Sequence, residues 1–518
     1  MYPGRRFVLL AGLFALVTTY GLAQRKVVTW HYDNMRTGAN LQETILTPNN
    51  VVWTQFGELF SQPVDGAIVG QALYLPNISI PNNGVHNVVY VATMNDSVYA
   101  FDADSNAGAN ASPLWATRVL APGASPVPMS VQGGQGTTAW TEVGVVSTPV
   151  IDPATGTIYV VAKDYLNGVA TNRLYGLSVA TGTLKFSPVL ISASFTSAGQ
   201  TNTFHNLPEV NRPALLLANG SIYIAFGSNG NDGTDQGWVI AYSAVSVSNP
   251  TPVFRGAFDT EPGKFWAAIW QMGGGLSADT AGYIYGETGE GPVTSGTNLG
   301  TSIFKLQQTG TGLTLADWFT PYNWSFLSAN DLDLNDSVLI LPTQTGLHPY
   351  LAIGVGKQGT LYVLDRTHLG GLCSACTAGD TQIVQELQKA VGHETGSLVY
   401  WNGRVYSSGQ GAPIMAWTLN NGALSSGPVA QSVWVAGGHS PVLSANGTSN
   451  AILWQLQGTG SQSVLQAFDA ITLQRIYSAS QSSSRDTLPA VPHFAQLMEV
   501  NGKVYVGTNS SLVVFGLL

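Results

Sequence analysis

The sequence predicts an all-β chain, an eight-bladed β-propeller of four-stranded antiparallel blades, with seven blades as the fallback count. The first observation is a two-strand phrase that recurs about eight times from Val88 onward. It opens as VVYVATMNDSVYAFDAD (88–104): an alternating apolar strand, a polar turn, and a second alternating strand closing on Asp. The strand Tyr or its equivalent falls at Tyr90, Tyr159, Tyr223, Tyr285, Ala352, Tyr406, Leu453 and Tyr505, at spacings of 47 to 69 residues. A repeat that long, built only of strands and turns, implies small antiparallel sheets repeated radially. The second observation is composition. Charged residues are 9% of the chain, against roughly 25% in an average domain, and 59 glycines help to replace them, supplying the positive φ of tight turns. The third is a mismatch at the two ends. The last repeat stops at Leu518 without a fourth strand, while FGELFSQPVD (56–65) is a spare strand near the front. Pairing the two closes the ring and leaves no bare edge.

Taken in chain order, residues 1–23 read as a secretory signal peptide. Arg5 and Arg6 precede an apolar run over 7–20, and Gly21-Leu22-Ala23 offers small residues for cleavage after Ala23. The run is short for a bilayer span of about 20 residues, and an uncleaved anchor is the alternative. No later stretch is long and apolar enough to span, so the mature chain is expected to be secreted or periplasmic. Residues 24–518 are expected to form a single propeller domain. Its polar front, 24–55, holds TWHYDNMRTGANLQETILTPNN (29–50), which is expected to lie across one face of the ring. The first blade then reads as GQALYLP, VVYVAT, SVYAFDA and PLWATRV, and the second as STPVID, TIYVVAK, RLYGLSV and LKFSPVL.

A net charge of −9 and the absence of a Lys/Arg cluster beyond the N-terminus argue against nucleic acid as a partner. Apolar content of 44% argues against disorder. Cys373 and Cys376, in GGLCSACTAG, are the only cysteines. Outside the cytoplasm a lone pair reads as a disulfide stapling a loop; a metal reading needs two further ligands, and only His368 is near.

LYGLSVATGTLKF (174–186) and VYAFDADSNAGANASPLW (98–115) resemble the repeat of pyrroloquinoline-quinone (PQQ) propellers, which ends a strand on A-x-D, turns through T-G and docks a Trp on the next blade. Here Ser178 stands for that Asp and Phe186 for that Trp. HYDNMRTGAN, HNVVYVATMNDSVYAFDAD and SRDTLPAVPHFAQLMEVNGKVYVGTNSSLVVFG further resemble a group of secreted bacterial propellers of this quinoprotein alcohol dehydrogenase-like superfamily, a group of undefined biochemical role. For the dehydrogenases themselves the resemblance implies Ca²⁺ on oxygen ligands, PQQ between a Trp and a disulfide of adjacent cysteines, and an Asp base. YGETGEGPVTSGTNLGTSIFKL (285–306) is similar to the segment carrying a Ca²⁺ ligand and that Asp, which implies Glu290 as ligand and puts Thr297 near the base position. SNGNDGTDQGWVIAY (228–242) resembles the strand bearing a second ligand, with Asp232 or Asp235 as substitutes. GKQGTLYVLDRTHLGG (356–371) resembles the stretch that places a cation on the quinone, here Lys357. Adjacent cysteines are absent.

Each of these residues has a plainer reading. Asp232 and Asp235, in NDGTDQG, suit a Ca²⁺ site or an Asx-turn loop. DLDLNDS (331–337) begins like an EF-hand, but position six is Asp336 instead of Gly and position twelve is Pro342, so it reads as a polar lead-in to a strand, with a metal site of another kind as the alternative. Lys357 follows a wholly apolar strand and either points into the central channel or is a solvated turn lysine. His31, His86, His205, His393 and His439 are not at ligand spacing and read singly as turn or packing residues; His393, Glu394 and His439, just ahead of inner strands, are the secondary axial candidates. Trp270, in IWQMGGG, reads as an axial aromatic or an inter-blade docking residue. No G-x-S-x-G, H-E-x-x-H or phosphate loop occurs. The expected function is a scaffold that binds a small molecule or a protein. The alternatives are an oxidoreductase using PQQ and Ca²⁺ and a cell-envelope assembly factor.

Overall fold

The structure is a computed structural model that describes residues 25–133, 140–228, 236–310, 312–334, 336–434, 439–458 and 460–518. It is an eight-bladed propeller. Every blade holds four antiparallel strands in order from the hub outward: blade 1 over 73–118, blade 2 over 150–190, blade 3 over 216–259, blade 4 over 277–320, blade 5 over 339–387, blade 6 over 393–434 and blade 7 over 442–478. Blade 8 takes three strands from the C-terminus, Leu497–Val500, Lys503–Gly507 and Ser511–Leu517. Its fourth is Phe56–Pro63, antiparallel to Ser511–Leu517 with Phe56 opposite Leu517 and Pro63 opposite Ser511. The spare strand thus closes the ring, as the sequence predicts.

Burial explains the strand chemistry. The second strand of blade 3, Ser221–Phe226, is buried at every position, because both of its faces meet neighbouring blades. An outer strand such as Trp115–Arg118 has a single buried residue. Between blades 2 and 3 the wedge is filled by Leu174, Ile224, Phe226 and Trp238, all fully buried, and each such side chain contributes about 1.5–3 kcal/mol.

The repeating Tyr of the second strand crosses several of the wedges with its hydroxyl. Tyr90 Oη donates to Val179 O at 3.0 Å, and Tyr406 Oη to Ala470 O at 2.9 Å. Val245 N–H donates to Tyr159 Oη at 2.8 Å. Each partner lies just after the third strand of the next blade. At these positions the repeating Tyr also serves as an inter-blade hydrogen bond, whereas Tyr285 bonds Asp279 of its own blade.

Residues 27–43 visit the hub end of all eight blades in turn. Tyr74 and Val27 exchange backbone hydrogen bonds, and Ile151 N–H donates to Val28 O. Asn34 Nδ2 donates to Leu217 O, and the amides of Ala278, Ile340, Tyr400 and Leu443 donate to the carbonyls of Asn34, Met35, Thr37 and Gly38. Gly502 N–H on blade 8 donates to Glu43 Oε2 at 2.9 Å. Arg36, fully buried, pins the middle of this loop: Nε donates to Leu276 O and Nη1 to Thr29 Oγ1 and Trp30 O, each at 2.8 Å. Trp30 stacks on His31 with ring centroids 3.7 Å apart and donates to Gln496 Oε1 at 3.0 Å. The segment is a plug on the end of the ring where first strands turn into second strands.

Candidate functional site

At the opposite end, two second strands run out toward the axis. Ile284–Glu287 of blade 4 continues into Thr288-Gly289-Glu290, and Leu351–Val355 of blade 5 continues into Gly356-Lys357. The connection between the two blades brings Asp331 and Asp333 to the same place. Gly289 makes the close approach feasible: a Cβ there would stand 2.5 Å from Trp270 Nε1 and 3.0 Å from Asp333 Oδ2, so only glycine fits.

Glu290, Asp331 and Asp333 each place a carboxylate oxygen within 4.8 Å of the other two. Lys357 Nζ lies 2.8 Å from Asp333 Oδ1 and also pairs with Asp331 Oδ1. Glu290 and Asp333 are buried, Asp331 exposed. Burial, then the charge of Asp333, pushes the Glu290 carboxyl up to about 8. Burial also pushes Asp333 up to about 6, against the pull of Lys357. Desolvation raises Asp331, but hydrogen bonds with Glu290 and Lys357 more than offset it and leave Asp331 below the usual carboxylate range. Burial works against the charge of Lys357, and the carboxylates around it outweigh burial, so it stays protonated well above its ordinary value. Behind the cluster, Glu287 accepts hydrogen bonds from the amides of Asp336 at 2.9 Å and Val355 at 3.2 Å. Burial, then Asp336, holds its carboxyl far above the normal range.

Trp270 forms one wall beside Gly289. The Arg212 guanidinium lies over its ring at 5.1 Å and over the Phe494 ring at 4.5 Å, and burial lowers Arg212 to about 10. His393 Nδ1 is 3.0 Å from Lys357 O, next to the cluster. The structure therefore brings together Glu290, Lys357, Trp270 and His393. It does not bring in His439, whose ring nitrogens lie against the carbonyls of Ala495 (3.1 Å) and Gly458 (2.9 Å) in a buried packing site. Asp232 and Asp235, and the side chain of Glu394, lie outside the described residues. Cys373 and Cys376 are bonded to each other, with Cα atoms 5.4 Å apart, after the short strand Gly371–Leu372 that pairs with the outer strand of blade 4.

Thr297 sits in a small hairpin, its amide donating to Thr294 O, and the carboxylates beside Glu290 come from Asp331 and Asp333. One sequence expectation needs correction. DLDLNDS is no EF-hand, yet it is more than a polar lead-in, because its first two Asp residues complete the cluster. A signal for this existed: Asp-x-Asp in the connection that feeds the strand ending at Lys357. Lys357 itself is not a solvated turn lysine, since its side chain is 15% exposed and doubly paired.

A carboxylate trio of this kind presents only hard oxygen donors, the chemistry that suits Ca²⁺.

No protein-family model matches the chain, and no curated protein matches it. Solved structures do. A quinohemoprotein alcohol dehydrogenase from Comamonas testosteroni matches with a TM-score of 0.60 at 15% identity, over 96% of this chain and 81% of that one. The quinohemoprotein alcohol dehydrogenase ADHIIG from Pseudomonas putida HK5 gives a TM-score of 0.57 at 14% identity, over 95% and 80%. BamB from Moraxella catarrhalis gives 0.50 at 10% identity, over 89% and 99%. The chain has the eight-bladed propeller fold of the quinohemoprotein alcohol dehydrogenases.

Proposed function

We propose that this protein is a binding propeller that holds a small polar ligand at the unplugged end of its axis, over Glu290, Asp333 and Lys357, with a divalent cation as part of the site. The observation that carries this reading is the convergence of three carboxylates within 4.8 Å, two of them buried. The donor set fits Ca²⁺. All its atoms are hard oxygens, and burial leaves Glu290 and Asp333 short of positive charge, which a divalent ion supplies. Trp270 and Arg212 then offer an aromatic and cationic wall to whatever binds beside the ion. In a secreted chain the Cys373–Cys376 staple suits an oxidising compartment.

A second reading, an oxidoreductase using PQQ and Ca²⁺, is favoured by one observation: Glu290 and Lys357, implied by resemblance, meet Trp270, read from IWQMGGG, at one place. The quinone sandwich itself does not fit. Arg212 already covers one face of Trp270, and the disulfide joins cysteines three residues apart on an outer loop. No chemical step is assigned to the quinone on this ground.

The two readings separate in one experiment. Ca²⁺ is titrated calorimetrically into purified protein, then PQQ is added and followed by its absorbance and by dye-linked alcohol oxidation. Saturable Ca²⁺ binding that Glu290→Gln weakens, without PQQ binding, supports the first reading. Bound PQQ with alcohol oxidation supports the second. Absence of Ca²⁺ binding overturns both.

A further inference from the structure

A cavity lies at the other end of the ring from the carboxylate cluster, against the plug. It has a volume of about 1140 Å³, above the roughly 300–1,000 Å³ of most small-molecule sites. Its rim carries Arg25, Lys26 and Arg366. The chain as a whole has 20 Lys and Arg against 29 Asp and Glu, so three cations around one cavity run against its overall charge. The only carboxylate in the lining, Asp33, is already engaged: Thr37 donates to it from its amide at 3.2 Å and from its hydroxyl.

Two of the cations are incompletely hydrogen-bonded. Arg366 pairs through Nη1 with Asp279 at 2.9 Å, but its buried Nε has no hydrogen-bond partner, and neither has the buried Nε of Arg25. A buried, unmet guanidinium N–H costs free energy until an acceptor arrives. Lys26 is exposed at the same rim. The rest of the lining is largely apolar, including Met35, Leu41 and Ile340 with the Trp401 ring.

We propose that this plug-face cavity binds an amphipathic organic anion, its carboxylate, sulfonate or phosphate head on Arg25, Lys26 and Arg366 and its apolar body against Met35, Leu41 and Ile340. The cavity and the carboxylate cluster lie at opposite ends of the strand Leu351–Val355, so this site stands or falls apart from the cation site. The residues facing it come from the plug and from the turns of blades 4 to 7, which makes it a surface assembled only when the plug is seated.

The test titrates full-length protein with anilinonaphthalene sulfonate, followed by fluorescence, and with decanoate in competition. Decyltrimethylammonium and inorganic phosphate serve as the cationic and the head-only probes. One saturable molecule of the sulfonate per chain, displaced by decanoate, supports the proposal. So does weakening by about tenfold or more in Arg25→Gln/Lys26→Gln. Affinity in the unaltered protein should also fall as salt is raised, a readout that does not depend on any variant. The proposal is overturned by absence of saturable binding, by equal affinity for the ammonium or for phosphate alone, or by indifference to both the double substitution and salt.

Discussion

Tyr505 Oη donates to Ala103 O at 3.2 Å, carrying across the last wedge the same bond that Tyr90 makes to Val179 across the first. Blade 8 is joined to blade 1 by this side-chain bond, by Lys503 Nζ on Asp104 Oδ1 at 2.8 Å, and by Asn106 Nδ2 on Ser61 O at 3.1 Å. The covalent chain crosses the same seam through Phe56–Pro63. Phe56 is fully buried, edge-on to Tyr477 at 4.9 Å.

Ring closure should dominate stability. Phe56→Ala removes a buried aromatic and should cost about 3–5 kcal/mol, whereas Tyr505→Phe should cost only about 1 kcal/mol. Denaturant unfolding of both variants checks the ranking. Equal, small losses would mean that the closing strand contributes little.

Lys357 should matter for folding as well as binding. Lys357→Ala leaves the fully buried Asp333 without its partner, and breaking such a pair costs about 3–5 kcal/mol. Asp333 then takes up a proton more readily, at a pH above its value of about 6 in the parent, so the loss should shrink as pH drops toward about 6 and change little below it. Adding Asp333→Asn should restore much of the stability. A single variant as stable as the parent at neutral pH would place Lys357 outside the buried pair.

Glu261 gives a pH signature away from the cluster. It is fully buried beside Asn298, whose Nδ2 donates to Oε2 at 2.9 Å, and burial pushes its carboxyl up to about 9. A carboxyl raised on folding binds its proton more tightly in the folded state. The stability it confers is complete below the ordinary value of 4.5 and is lost as pH rises toward about 9. Glu261→Gln should remove that slope and raise the melting temperature at pH 9 by about 2 °C or more. Parallel melting curves across that range for both proteins would refute it.

Arg36 should hold the plug in place. Arg36→Met loses four hydrogen bonds from a fully buried guanidinium, and hydrogen exchange over 27–43 should rise strongly while the blade strands stay protected. Uniform loss of protection in all blades would instead make the plug inseparable from the ring.

Much of the fold was legible because its determinants are local and repeat. Alternation in the strands, Gly and Asn turns, the Tyr period and the odd strand at 56–65 each follow from a short stretch of sequence, and together they impose a closed ring. The site was legible only in part. Glu290 and Lys357 could be picked out one at a time, but Asp331 and Asp333 read as an ordinary strand lead-in. Nothing local says that their connection folds back onto Glu290, some forty residues earlier in the chain. The plug tells the same story: Thr29–Arg36 shows aromatic and charged residues in sequence, but which blades they meet depends on all eight being in place. Sequence determined the blades and their closure, since hydrophobic period and turn chemistry act between near neighbours. Tertiary structure decided which end of the axis is stoppered and which carboxylates share a site, because both depend on charges and carbonyls that converge only once the ring has closed.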